Sequence, residues 1–364
     1  MFLRLLLSAT LLSLKLFHYG VSSSDTMYKK ALNNSDALCN DGSSAVYFLG
    51  VQNTSKWIIF LESGAYCLTK AECLARFGNE YTKVLMTSQQ MPDEIKGRDL
   101  LSSSPSENGL FDDFSRVLIP YCSSDAYLGT ETKASSFENN RSVDDFIFSG
   151  KIIFQSVIFA LLMQGLNHAR ELVLIGSSAG AVGAYNQVKW LQDLLSSRNL
   201  DVNLSVIIDG GWFINFQESI ASKVAKEFYK DGRPLPRACA DSTYGYPCCL
   251  SASCMLTRGY YPSNVPTIFV FSMYDIFIIG DSVERFSKRV NVAENGATDL
   301  ITLVDLYGGA MNQSLVAIRP NSSNFSYFVP ACFQHTFFSM SSLRDQGGVL
   351  HYSRMFTQGN ALFG

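Results

Sequence analysis

The stretch Glu171-Leu-Val-Leu-Ile-Gly-Ser-Ser-Ala-Gly-Ala181 constrains the fold of this chain more than any other. An apolar run, Leu172 to Ile175, enters Gly176-Ser177-Ser178-Ala179-Gly180. A helical pattern follows at once through Ala184, Val188 and Leu191. Strand, G-x-S-x-G, helix is the signature of a nucleophile elbow. Such a turn is too tight for Cβ atoms at its glycines. It lifts Ser178 Oγ off the backbone into a cleft. The N–H of Ala179, at the start of the helix, faces any oxyanion formed on Ser178. A Ser/Gly-rich loop without chemistry is the competing reading; the apolar strand before it and the amphipathic helix after it favour the nucleophile.

A nucleophilic serine needs a base, and the chain has only four histidines. His18 lies in an N-terminal leader. His168 precedes the serine, against the order Ser, then Asp or Glu, then His of hydrolases with this elbow. His335, in Phe328-Val-Pro-Ala-Cys-Phe-Gln-His335, ranks above His351 in the polar C-terminal tail, and Cys332 is placed to pin its loop. For the acid, Asp275 ends the β-rich run Pro266-Thr-Ile-Phe-Val-Phe-Ser-Met-Tyr-Asp275. Its role would be to accept the Nδ1–H of His335 and fix the tautomer. Asp209, which ends Val206-Ile-Ile-Asp209, competes, because consecutive strands often neighbour one another. Either carboxylate could instead cap a helix or loop.

Strands are expected at 45–48, 57–61, 117–120, 172–175, 205–208 and 267–271, and helices at 143–166, 181–195, 217–229 and 279–290. Their alternation predicts an α/β fold: an α/β-hydrolase-like, doubly wound, mostly parallel sheet. The stretch 231–262, rich in Pro, Cys, Gly and Tyr, reads as a disulfide-bearing insertion over the cleft. A chain of 364 residues, 47% hydrophobic and 17% charged, can bury a large core. Its net charge of -3 and lack of a dense Lys/Arg run argue against a nucleic-acid surface.

The N-terminus has a basic start, an apolar stretch to Phe17 and small residues near Gly20 to Ser24. It predicts a signal peptide over 1–23 ahead of a single esterase domain over 24–364. The apolar run is too short to span a bilayer, and the run from Phe146 to Leu166 carries too many polar residues. Nine cysteines fit an oxidising compartment. A zinc site at Cys248, Cys249 and Cys254 is disfavoured, since no C-x-x-C pair or nearby histidine accompanies them. Sequons occur at Asn33, Asn53, Asn140, Asn203, Asn312, Asn321 and Asn324, as in a glycosylated, exported chain.

Several segments, in order, resemble the pectin acetylesterase and Notum family. They are Cys39-Asn-Asp-Gly42, Glu62-Ser-Gly-Ala-Tyr-Cys67 with Cys73, Pro120-Tyr-Cys-Ser-Ser-Asp125, Gly176-Ser-Ser-Ala-Gly180, Asp209-Gly-Gly-Trp-Phe213 and Pro330-Ala-Cys-Phe-Gln-His335. The Pro-Tyr-Cys-Ser-Ser-Asp form is closer to the animal Notum branch than to the plant pectin branch. The resemblance implies that Ser178, Asp275 and His335 are the triad. It also implies that the N–H groups of Gly64 and Ala65 join that of Ala179 in the oxyanion hole. It further implies the disulfides Cys67–Cys73 and Cys39–Cys122, leaving Cys239, Cys248, Cys249, Cys254 and Cys332, an odd number.

The chain departs from the family pattern at three positions. Ser63 replaces a glycine, where a positive φ would be strained by its Cβ. Ala65 replaces a tryptophan that would wall the acyl pocket, and Ala181 replaces a glycine. The function expected is a secreted serine carboxylesterase that needs no metal or cofactor. Its substrate would be an acylated secreted protein, as for Notum, or alternatively an acetylated polysaccharide. Ile276, Phe277, Ile278 and Ile279 would line an acyl pocket or form a buried helix face. A non-catalytic binding protein on an esterase fold is the rival of another class.

Overall fold

The structure, a computed structural model, describes residues 25–67, 69–131, 146–214, 246–279, 296–318 and 324–338. The leader at 1–23, His18, His351, Cys239, Asn140, Asn321, the helix expected at 217–229 and all but the first residue of that expected at 279–290 lie outside them. The strands are β1 (Thr26–Ala31), β2 (Val46–Gly50), β3 (Lys56–Leu61), β4 (Glu94–Lys96), β5 (Ser115–Ile119), β6 (Glu171–Ser177), β7 (Asn203–Asp209), β8 (Thr267–Val270) and β9 (Phe325–Phe328). Among the described residues they form one nine-stranded sheet in the order β4-β1-β2-β5-β3-β6-β7-β8-β9. From β5 to β9 every pairing is parallel. β1 runs antiparallel to β2 and β4, and β2 antiparallel to β5.

The central strands read as unbroken apolar runs because both faces of a parallel sheet are covered. Trp57 to Leu61 and Leu172 to Ile175 are entirely buried. Three long helices follow the strand order: α1 (Lys70–Gly78) after β3, α2 (Gly150–Leu162) before β6, and α3 (Ala179–Ser197) directly after β6. Along α3, Val188, Leu191 and Leu195 are buried at the spacing read from the sequence. α2 is shorter than the 143–166 expected: it starts after Ser149, and Gly165, at φ 115°, turns the chain beyond its end.

A fourth long helix, α4 (Gly296–Val316), was not expected from the sequence. Its Gly308-Gly309 pair reads as a break. Packing overrides it: a Cβ on Gly308 would lie 2.8 Å from the Tyr274 ring, so the glycine admits the aromatic against the helix. Ser314 of α4 accepts the indole N–H of Trp212 at 2.9 Å, and Trp212 in turn stacks on Phe271 at 5.0 Å. β1, β4, β9 and α1 were missed as well; β4 has three residues and β9 four, too few for a period to register.

Cys39–Cys122 and Cys67–Cys73 are bonded as the family resemblance implied, and Cys248–Cys254 is a third bridge. Cys249 is also disulfide-bonded, and Cys332 is a free thiol. The bridging of Cys248, Cys249 and Cys254 leaves those sulfurs no role in a zinc site. No helix among the described residues is long and apolar enough to cross a membrane.

Candidate active site

The parallel register brings the chemistry to one edge. Leu61 lies opposite Gly176, Ser177 opposite Asp209, Asp209 opposite Val270 and Val270 opposite Phe328. The strands therefore end level, and their C-terminal loops share the edge at which open α/β sheets bind ligands. His168 precedes β6 and lies at the other end of that strand.

Ser178 sits in the turn between β6 and α3 with φ 52° and ψ −114°, a conformation L residues rarely adopt. Three features hold it there. Its N–H donates to the Asp209 carbonyl at 2.8 Å. A Cβ on Gly176 would lie 2.1 Å from the Gly180 carbonyl oxygen, and one on Gly180 would lie 2.1 Å from that of Leu61. The two motif glycines thus serve close packing, while the positive φ falls on the serine itself.

Ser178 Oγ lies 2.7 Å from His335 Nε2, and His335 Nδ1 lies 2.7 Å from Asp275 Oδ2. A carboxylate at Nδ1 favours the tautomer protonated there, which leaves Nε2 to accept the serine hydroxyl proton. Asp275 is buried, and its other oxygen accepts the N–H groups of Phe277 at 2.9 Å and Ile278 at 3.4 Å. One side chain therefore caps the helical turn after it and faces the imidazole, so the capping reading does not exclude the catalytic one.

The partners are brought together by an extension of the β8–β9 pairing. Phe271 N–H donates to Phe328 at 3.1 Å, Met273 to Pro330 at 2.9 Å, Tyr274 to Cys332 at 3.3 Å and Ile276 to Phe333 at 3.2 Å. This ladder carries Asp275 alongside His335. Cys332 does not pin the loop covalently, as its position suggested; its Sγ lies 3.2 Å from Ser272 Oγ. Of the four apolar residues after the acid, Phe277 stacks on the imidazole at 4.8 Å and 23°. Ile278 and Ile279 are buried and Ile276 is exposed.

Asp209 does not reach the imidazole nitrogens. Its Oδ1 accepts the Phe337 N–H at 2.8 Å, and its Oδ2 accepts the Phe338 N–H and the Ser177 hydroxyl, both at 2.9 Å. Burial pushes its carboxyl up to about 7, against the pull of these donors. Ser177 was not singled out in the sequence, although the register opposite Asp209 dictates the contact.

The segment Glu62 to Ala65, after β3, is fixed by its own acceptors. Glu62 Oε2 accepts the Tyr121 N–H at 3.0 Å, the Tyr121 hydroxyl donates to the Ala65 carbonyl at 2.8 Å, and Arg76 of α1 donates to the Gly64 carbonyl. A Cβ on Gly64 would lie 1.9 Å from the Tyr121 ring. The positive φ anticipated at Ser63 falls instead on Ala65, at 55°. Tyr121 lies in a quoted motif; Arg76 has no signal in the sequence. Among the described residues, no group of three His, Cys, Asp or Glu side chains is placed to hold a metal ion.

The family described as pectinacetylesterase matches this chain over residues 21–351. The chain belongs to the pectinacetylesterase family. It is 30% identical over 323 residues to the palmitoleoyl-protein carboxylesterase NOTUM of Drosophila melanogaster, a match covering 86% of this chain and 45% of that relative. It is 35% identical over 204 residues to palmitoleoyl-protein carboxylesterase notum2 of Xenopus laevis, covering 56% and 40%. The chain thus spans less than half the length of these curated relatives. The crystal structure of the Wnt deacylase Notum from Drosophila superposes with a TM-score of 0.70 at 27% identity, covering 86% of each chain. Family membership and the Notum-like fold agree with the resemblance read from the motifs.

Proposed function

We propose that this chain is a serine carboxylesterase, carried by one domain over 24–364 behind a leader at 1–23. The observation that carries the reading is the unbroken relay from Asp275 Oδ2 through His335 to Ser178 Oγ, each step 2.7 Å. Ser178 attacks the ester carbonyl carbon as His335 Nε2 takes its proton. Asp275 holds the ring and stabilises the imidazolium. The tetrahedral oxyanion is held by the N–H groups of Gly64, Ala65 and Ala179. Collapse expels the alcohol, to which His335 returns the proton, and leaves an acyl-enzyme. Water, deprotonated by the same imidazole, releases the carboxylic acid and restores Ser178.

The substrate proposed is an O-acyl group on a secreted protein; the Notum relatives are named palmitoleoyl-protein carboxylesterases. Two residues bear on the shape of the acyl pocket: Ala65 supplies no aromatic wall, while Phe277 supplies one against the imidazole. The alternative, O-acetyl groups on a pectin-type polysaccharide, rests on the family name. The rival of a non-catalytic binding protein is disfavoured because all three triad side chains are in hydrogen-bonding position. The bridged cysteines support export to an oxidising compartment. The test is a fluorophosphonate probe on the purified chain, with turnover of p-nitrophenyl esters from acetyl to decanoyl. Labelling at Ser178 with turnover is expected; no labelling of native chain would refute the esterase reading. A profile that falls steeply beyond acetyl would move the substrate to the polysaccharide.

A further inference from the structure

We propose that Asp209 is a positioning residue for the base, clipping the loop that carries His335 to the strand that carries Ser178. The proposal rests on the triad reading above and adds a residue to it. His335 is held on two sides. Upstream, the ladder from the β8 loop ends at Cys332 and Phe333. Downstream, Phe337 and Phe338 donate their N–H groups to the two oxygens of Asp209, at 2.8 and 2.9 Å. The same carboxyl takes the hydroxyl of Ser177, the residue before the nucleophile, and the Asp209 carbonyl takes the N–H of Ser178 itself, at 2.8 Å.

One fully buried residue therefore bonds to both sides of the Ser178–His335 contact. The backbone beside it is shaped for that approach. Gly210 has φ +59°, and a Cβ there would lie 2.4 Å from the His335 carbonyl oxygen. Only a bare Cα lets the His335 backbone rest against the end of β7.

The chemistry of the clip calls for acceptors on both oxygens, which the ionised carboxylate, the form present at pH 8, supplies. An amide offers one oxygen and one NH2, so Asp209→Asn sets a donor against one of the loop N–H groups. The downstream half of the loop then moves away from the elbow. Asp275 still holds the ring through Nδ1, but Nε2 no longer meets Ser178 Oγ at the same distance. A residue that merely supported the fold would weaken the protein without acting through the imidazole.

The experiment measures the rate of covalent labelling by a fluorophosphonate probe in the full chain, alone and in a His335→Ala background. Asp209→Asn should slow labelling of the native chain by roughly 30- to 100-fold, as expected for a displacement on the order of 1 Å. Ser177→Ala, which deletes one of the clip's donors, should slow it by roughly 3- to 10-fold. In the His335→Ala background both should change the rate by less than about twofold, because the group they position is gone.

Equal slowing in both backgrounds would make Asp209 structural and overturn the proposal. So would an unchanged rate in both single variants. If Asp209→Asn fails to fold, the Ser177→Ala pair carries the same comparison. Absence of labelling in the native chain would overturn the nucleophile reading and this proposal together. Labelling of the native chain with no effect of the clip variants would overturn this proposal alone.

Discussion

The turn that carries Ser178 is shaped by Gly176 and Gly180, close to it in sequence, with distant ties to the Asp209 carbonyl and the end of β3, while Asp275 and His335 are brought together wholly by segments far apart in the chain. At the elbow, Gly176 and Gly180 let helix α3 fold back onto the ends of β3 and β6, and the Asp209 carbonyl takes the N–H of Ser178 in its strained conformation. Asp275 and His335 are 60 residues apart, and His335 is 157 from the serine. Their meeting depends on the ladder beyond β8 and β9 and on the clip at Asp209. A short-range device and a long-range one should fail differently. Substitutions of the elbow glycines should disturb packing and activity together, whereas Ser178 itself carries chemistry alone. Substitutions in the long-range half can remove chemistry and leave stability in place.

The largest effect expected is that of Ser178→Ala. Hydrolysis of p-nitrophenyl acetate should fall by about 10⁴-fold or more. The melting temperature should stay close to that of the native chain, because Ala179 and the two glycines still build the turn. Turnover near the native value in the purified variant would remove the elbow from the chemistry.

Asp275→Asn separates the two duties of that side chain. Activity should fall by about 10³- to 10⁴-fold, since the amide no longer favours the Nδ1-protonated imidazole. Stability should hold, because asparagine also caps a helical turn. Asp275→Ala should lose the cap as well, lowering stability by a further ~1 kcal/mol. Asp209→Asn should cost less activity than Asp275→Asn. A reversed ranking in kcat/KM would return the acid role to Asp209.

Gly180→Ala tests the elbow as packing. Its Cβ would meet the Leu61 carbonyl at 2.1 Å, against backbone that cannot swing aside. A loss of roughly 1–3 kcal/mol is expected from overpacking of this kind, read as a lower midpoint in denaturant, with activity falling alongside. Unchanged stability would mean that α3 can shift without disturbing β3.

The smallest effect is a pH dependence of stability. Burial holds the Asp209 carboxyl up at about 7, above its value in the unfolded chain. The native state keeps that proton where the unfolded state has released it. The stability linked to this group is full below about pH 4 and declines as pH rises through 7. Denaturant midpoints compared at pH 5 and pH 8 should show a decline that is shallower in Asp209→Asn. A variant with the native slope would place the titration elsewhere.

The elbow was legible in the sequence because it is local: an apolar strand, two glycines flanking the serine by two positions, and a helical period directly after. The central strands were legible for the same kind of reason, since burial on both faces leaves continuous apolar runs. Chain order singled out His335, and the end of a late β-rich run pointed to Asp275, with Asp209 left open as the acid. Which of the two aspartates meets the imidazole was decided by tertiary structure. Both end or follow a parallel strand, and only the β8–β9 ladder shows which one is carried to the imidazole. The location of backbone strain at Ala65, the role of Arg76 behind Gly64, and helix α4 across its Gly308-Gly309 pair were likewise invisible in one dimension. Sequence patterns record what a residue's near neighbours require; contacts between residues 60 or 157 apart exist only once the sheet's register has set the strand ends level.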